Sequence, residues 1–231
     1  MQQISTNVYK IGNMVSYYLV KGENGLALID TGFGKGIVAP LTKHLNSIGH
    51  DLNDIKHILL THAHMDHVGG LSTLQTAINT PALCHQADKA IAEGKQKALR
   101  PKRDDVSFIA GMMGMMMPNQ LNPTATINDT IGEGDTLDDY GIEVLHLPGH
   151  SDGHLGFLVK ADRVLIGGDV LMNFFDRIIQ PMAAATNAPQ TARTSIRRIA
   201  DMDIQTLCLG HGPAITTYQR VRDFTTNLST A

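Results

Sequence analysis

"LLTHAHMDHVGG", Leu59 to Gly70, holds three histidines and one aspartate in the six residues from His62 to His67, and two glycines close it. A loop has no folding reason to crowd imidazoles in this way. His62 and His64 are separated by one residue, and in extended backbone both side chains leave the same face, which suits a single metal ion. Asp66 and His67 follow where the chain turns into a helix, so they point to a different position. Gly69 and Gly70 carry no side chain and let the backbone pack close to the site.

The cluster ends the apolar run "IKHILLT", and the same grammar recurs three times. "VLHLPGHSDGH" reaches His150, "VLIGGD" reaches Asp169 and "LCLGHG" reaches His211. Each is an apolar strand ending in a polar residue beside glycine. Together the four segments supply five histidines and two aspartates, more than the four ligands that one zinc ion usually accepts. Two ions bridged by a carboxylate and a hydroxide account for the surplus. Imidazole and carboxylate suit iron and manganese as well as zinc.

Around these segments, strand and helix patterns alternate. "NVYKI", "SYYLVKG" and "LALIDTG" read as strands, with "ENG" as a turn. Leu41, Leu45 and Ile48 recur at helical spacing over residues 38–48, and Val68, Leu71, Leu74 and Ile78 mark a second helix. "TPALCHQ" returns as a strand, "INDTIGEGDTLDDYGIEVLHLPGH" reads as strands with a turn at 138–141, and "GHLGFLVKADRVLIGGD" as a hairpin. Helices follow over "TARTSIRRIADM" and from Tyr218. The alternation indicates an α/β fold. One domain over residues 1–231 is expected, in two similar halves, with the weakly patterned middle (83–128) over their junction.

A chain of 231 residues with 42 % hydrophobic and 18 % charged residues can bury a sizeable core. The net charge of −3 gives no electrostatic reason to expect nucleic acid, and the one basic run, "KQKALRPKR", reads as a solvated face. Cys84 and Cys208 sit in apolar contexts and read as buried thiols. The N-terminal stretch lacks the grammar of a signal peptide and no apolar run is long enough to span a bilayer, so a cytoplasmic protein without membrane contact is expected.

"HAHMDH", "IDTG" at Asp30, "LPGHSDGH", "GGD" and "LGHG" occur in the order found in the metallo-β-lactamase superfamily of hydrolases, and the resemblance covers nearly the whole chain. It implies a four-layered αβ/βα sandwich with two mixed β-sheets and the metals at one edge between them. It implies that His62, His64 and His150 hold the first of two Zn2+ ions (iron or manganese being alternatives), that Asp66, His67 and His211 hold the second, and that Asp169 bridges them. Water on zinc has its pKa lowered to about 7, so a metal-bridging hydroxide would attack the substrate, with Asp66 orienting it or moving a proton. Asp30 and His154 resemble positions that brace the ligand loops. His146 reads as a neighbour of the site or a core residue, and His44, His50, His57 and His85 as surface or satisfied core residues.

The resemblance also separates subfamilies. The expected export signal and bridging residue of true β-lactamases differ from this chain. Only about twenty residues follow His211, too few for the glutathione-binding domain of glyoxalase II enzymes. Flavodiiron proteins have glutamate where His64 stands. A hydrolase of a small ester-type substrate, a lactone or thioester, is the reading that remains. The alternatives are a mononuclear iron oxidoreductase resembling persulfide dioxygenases and, third, a phosphodiesterase or nuclease. "GMMGMMMP", including Met113 and Met116, reads equally as an adaptable substrate wall or as a face packed on the core or on a second copy in a homodimer. Phe174 and Phe175, just after Asp169, are candidates for the opposite wall.

Overall fold

A computed structural model describes residues 1–34, 36–99 and 125–228. The first half builds one seven-stranded sheet in chain order. β1 (Gln2–Gln3), β2 (Val8–Ile11), β3 (Tyr17–Lys21) and β4 (Leu26–Ile29) pair antiparallel through short turns. β5 (Ile55–Leu59), β6 (Ala82–Cys84) and β7 (Asp129–Thr130) then add in parallel. Parallel neighbours need crossovers, and these contain α1 (Val38–Asn46), α2 (Met65–Val68), α3 (Leu71–Ala77) and α4 (Gln86–Ala92).

The second half builds a five-stranded sheet. β8 (Thr136–Leu137), β9 (Ile142–His146), β10 (Leu155–Val159) and β11 (Val164–Ile166) form an antiparallel meander. The chain leaves this sheet for a separate hairpin, β12 (Met172–Phe174) and β13 (Arg177–Ile179), and then for α5 (Pro189–Ala200). β14 (Thr206–Cys208) returns parallel to β11, and α6 (Gln219–Thr226) follows.

Period-two alternation divides each strand between two layers. Val8, Val20, Ile29 and Leu59 meet Val144, Phe157, Val164 and Ile166 in a core between the sheets. Leu19, Leu28, Leu41, Leu45 and Leu74 form a second core under α1 and α3. Leu145, Leu165 and Leu207 form a third with Ile196, Ile199 and Val221 of α5 and α6. The layers therefore run helix, sheet, sheet, helix, as expected. Cys84 and Cys208 are buried free thiols, and among the described residues no helix is long and apolar enough to cross a membrane.

Two local features differ from the sequence reading. The helix expected from Val68 begins three residues earlier as α2, and the chain re-forms as α3 after Gly70; a Cβ on Gly70 would lie 2.5 Å from the Thr31 carbonyl oxygen. Gly69 and Gly70 thus admit the loop after β4 rather than the site itself. The β12–β13 hairpin was not foreseen, because its turn residues are Phe175 and Asp176, both with left-handed φ (51° and 60°) where asparagine or glycine is usual. Arg220 holds that turn, donating to the Asp176 carboxylate and to its carbonyl, each at 2.7 Å.

Candidate metal centre

Every expected ligand follows the C-terminal end of a strand: His62, His64, Asp66 and His67 follow β5, His150 follows β9, Asp169 follows β11 and His211 follows β14. Because β5, β9, β11 and β14 end at one edge between the two sheets, the side chains converge. One donor atom each from His62, His64 and His150 lie within 4.8 Å of one another, and the same holds for Asp66, His67 and His211. His62 Nε2 and His64 Nδ1 are 3.1 Å apart. Asp66 Oδ2 lies 3.1 Å from His211 Nε2 and 3.9 Å from His67 Nε2. Asp169 stands between the trios, with Oδ2 3.4 Å from His150 Nε2 and 3.3 Å from His211 Nε2, and Oδ1 3.3 Å from His67 Nε2.

Hydrogen bonds behind the rings fix their tautomers. Thr61 Oγ1 donates to Asp30 and so accepts from His62 Nδ1 (3.1 Å). Thr186 Oγ1 donates to the Met182 carbonyl and accepts from His150 Nδ1 (3.2 Å). His67 Nδ1 donates to Asp30 at 2.7 Å and His211 Nδ1 to the Met14 carbonyl at 2.9 Å. With each Nδ1–H committed, four Nε2 atoms offer lone pairs. Among the described residues, His67 Nε2, His150 Nε2 and Asp169 Oδ1 are buried and close to one another's groups but make no hydrogen bond, although buried polar atoms are normally paired. Donors sharing an ion at about 2.0–2.1 Å stand roughly 2.9–3.4 Å apart, depending on angle. The 3.1–3.4 Å separations among the closest donors fall in that range. The residues therefore fit divalent metal.

The electrostatics agree. Burial, with neighbouring imidazoles, pushes His62 and His150 well below the ordinary histidine pKa, and burial lowers His64. These three are neutral nitrogen donors. Around the second trio burial is outweighed. Asp169 and Asp30 hold His67 well above its usual value, and Asp169 and Asp66 hold His211 up at about 10. Asp66, against burial, is drawn down to about 2 by His211 and His67, and Asp169 is held well below the carboxylate range by His67 and His211. Without an ion, protons on two imidazoles neutralise two carboxylates. A dication does the same work and leaves the nitrogens free to ligate.

A family model of the metallo-beta-lactamase superfamily matches residues 11–211. The chain belongs to this superfamily. Hydroxyacylglutathione hydrolase GloC of Haemophilus influenzae is 30 % identical over 202 residues, covering 87 % of this chain and 86 % of that protein. An N-acyl homoserine lactonase of Bacillus cereus is 26 % identical over 213 residues, covering 80 % and 74 %. The crystal structure of TTHA1623 in a di-iron-bound form superposes with a TM-score of 0.67 at 27 % identity, covering 92 % of this chain and 95 % of that one. The chain is thus a member of a metallo-hydrolase superfamily with candidate ligand groups in place.

In this superfamily member the residues around the candidate ligands divide clearly. His154 is not among them: Nδ1 donates to the Leu147 carbonyl, Nε2 accepts from the Asp169 amide at 3.1 Å, and burial pushes its pKa down to about 4. It positions Asp169 through the backbone. His146 is half-buried, stacked on His85 with centroids 4.3 Å apart, and its Nε2 meets the Asp152 carbonyl. His50 pairs with Asp54 and His57 with Tyr140.

The sequence reading missed Asp88. It is buried on α4 and accepts from Ala63 N (3.0 Å), Ser151 Oγ (2.7 Å) and Gly153 N (2.9 Å). One carboxylate thereby ties the His62–His64 loop to the His150 loop. "HQADKAI" gave no signal for this, since a single aspartate in a helix looks like solvated surface. Of the expected walls, Phe174 brings its ring centroid to 6.4 Å from that of His211, while Phe175 is fully exposed on the hairpin turn. Met113 and Met116 lie outside the described residues.

Proposed function

We propose that the protein is a dinuclear metal-dependent hydrolase of a small ester-type substrate with an apolar acyl group. The observation that carries this reading is Asp169: its carboxylate touches His150 of one trio and His67 and His211 of the other. Seven donors in two trios joined by one carboxylate match two ions, and a mononuclear oxidoreductase would leave the second trio without use. His62, His64 and His150 would hold one ion, Asp66, His67 and His211 the other, and Asp169 would bridge them. A pair of divalent ions bound there supplies Lewis-acid activation of water and of a substrate carbonyl.

The chain's own groups supply the rest. Asp66 is the most exposed of the assigned carboxylates, at 27 % against 4 % for Asp169, so it can reach a water or a leaving group. Its role is to orient the nucleophile and carry a proton to the departing oxygen or sulfur. The mouth carries apolar groups beside polar Asp88, Ser151, Asp152 and Asn187. Met14, whose carbonyl holds His211, is 84 % exposed, and Phe174 flanks the same ring. On the other side Ala63, Ala87, Ile91 and Leu99 line a crevice beside His64 and His150. Apolar surface of this kind at a mouth marks a binding site for apolar groups, and the hydroxyacylglutathione hydrolase and N-acyl homoserine lactonase among the relatives are consistent with an ester-type substrate.

The test combines metal analysis with a panel of lactone, thioester and phosphodiester substrates, using His64→Ala as the control. Two ions per chain with ester cleavage lost in His64→Ala is the expected result. Failure of the metal-loaded protein to cleave any ester, or one iron per chain with oxygen consumption, overturns the reading.

A further inference from the structure

Five consecutive carbonyls surround His211, and each accepts a hydrogen bond from outside their loop. Leu209 accepts from Tyr18 Oη (2.6 Å), Gly210 from Ser16 N (2.8 Å) and His211 from Asn173 N (3.2 Å). Gly212 accepts from Lys10 Nζ (2.5 Å) and Pro213 from Asn173 Nδ2 (3.2 Å). The hairpin packs against the loop without slack, since a Cβ on Gly212 would lie 1.8 Å from the Asn173 oxygen. His211 is therefore set by a template of donors, three from the first sheet and its β2–β3 turn and two from the hairpin.

Lys10 is the unusual member. It occupies the inward position of β2 two residues after Val8, is 4 % exposed, and reaches across the sheets to a single backbone oxygen. Burying an ammonium is unfavourable unless it is well hydrogen-bonded, and an apolar side chain of that length would fill the space more favourably. What an apolar side chain cannot provide is a charge-assisted donor to the carbonyl next to His211. Lys10 has no task in the proposed hydrolysis, and its sequence context, "VYKI", reads as ordinary strand.

We propose that Lys10 is a positioning residue for His211, fixing the loop 209–213 through the Gly212 carbonyl and so setting the affinity of the second metal position. The second half of this statement rests on the two-metal reading; the first does not. Lys10→Met removes the donor and keeps the length. In the metal-free variant, hydrogen exchange in peptides covering 209–213 should accelerate at least tenfold while β10 stays protected. In a zinc titration the first ion should bind as in wild type and the second at least tenfold more weakly. Unchanged exchange at 209–213 overturns the proposal. So does an equal loss of both ions together with a general fall in protection, which would mean that Lys10 only fills space. If Lys10→Met does not fold, Lys10→Gln, which keeps a donor on a shorter arm, carries the same two readouts. If wild type itself takes up fewer than two ions, the two-metal reading fails, and the exchange data still decide whether Lys10 holds the loop.

Discussion

The Asp30 carboxylate accepts the Nδ1–H of His67 at 2.7 Å, with both side chains buried. The same carboxylate accepts the Thr61 amide at 2.8 Å and the Thr61 hydroxyl at 2.7 Å. It thereby joins the end of β4 to the end of β5 and fixes the tautomer that aims His67 Nε2 at the site. In Asp30→Asn the amide cannot serve three donors. A partner of this kind is worth about 10–100-fold in metal affinity, so zinc binding to the second position should weaken by that factor in a chelator competition assay. Wild-type affinity in Asp30→Asn would remove the assigned role.

Metal loading should release protons. His67 and His211 have folded-state pKa values above the ordinary one, about 10 for His211. Their contribution to the ion-free fold is complete below the unfolded value of about 6.5 and is lost as pH rises through the folded values. His154 runs the other way. Pushed down to about 4, it contributes fully above about 6.5, and that contribution is lost as pH falls toward 4. The ion-free protein should thus be most stable near neutrality. A ligating imidazole must be neutral, so zinc should add progressively more stability as pH rises above about 6.5. Calorimetric titration at pH 8 in two buffers of different ionisation enthalpy should report release of about two protons per chain. Release of none would contradict the charge balance described for the second trio.

The fold and the ligand set were legible for different physical reasons. Strands such as "LALI" and "IKHIL" announce themselves by burial, and the candidate ligands His62, His64 and His67 by the crowding of imidazoles, whereas His150 and His211 stand out only through the order of the motifs that carry them. Asp88 and Lys10 do not stand out, because a buried charge is unremarkable in sequence until its partners, 25 to 202 residues away, are placed beside it. The β12–β13 hairpin escaped because Arg220, not turn chemistry, holds its left-handed residues.

Gly210 tests the packing around Asp169. A Cβ there would lie 2.1 Å from Asp169 Oδ1 and 2.5 Å from His67 Cε1, too close for either atom to remain. Its backbone φ is not left-handed, so alanine is strained by crowding alone. Gly210→Ala should displace both side chains and, on the proposed function, lower ester hydrolysis by at least about 100-fold, since misplacement of about 1 Å can have that effect. Activity within a few-fold of wild type would show that the two ligands are less tightly set than these contacts indicate.

Asp88→Ala should act on stability as well as on the first ion. It strands the Ala63 and Gly153 amides and the Ser151 hydroxyl. Each buried donor left unpaired costs about 1–3 kcal/mol, and the three are not additive. Urea unfolding of the metal-free variant should fall by roughly 3 kcal/mol at unchanged m. The first ion should weaken too, because the two loops that present His64 and His150 are no longer tied. A variant as stable as wild type would argue that water replaces the carboxylate.

On the proposed function, a Phe174 variant should separate binding of the acyl group from the chemistry. Its ring centroid lies 6.4 Å from that of His211 and the residue is 40 % exposed, so part of its surface is available to a substrate. Covering a phenylalanine face contributes about 1 kcal/mol or somewhat more, and Phe174→Ala should therefore raise KM for a long-chain ester about fivefold to tenfold. For an acetyl ester, too short to reach the ring, KM should stay close to wild type, and kcat should be unchanged for both. Equal losses on the short and long esters would place the apolar group elsewhere, beside Leu99 and Ile91 on the far side of His64. In that case Leu99→Ala should produce the chain-length dependence instead.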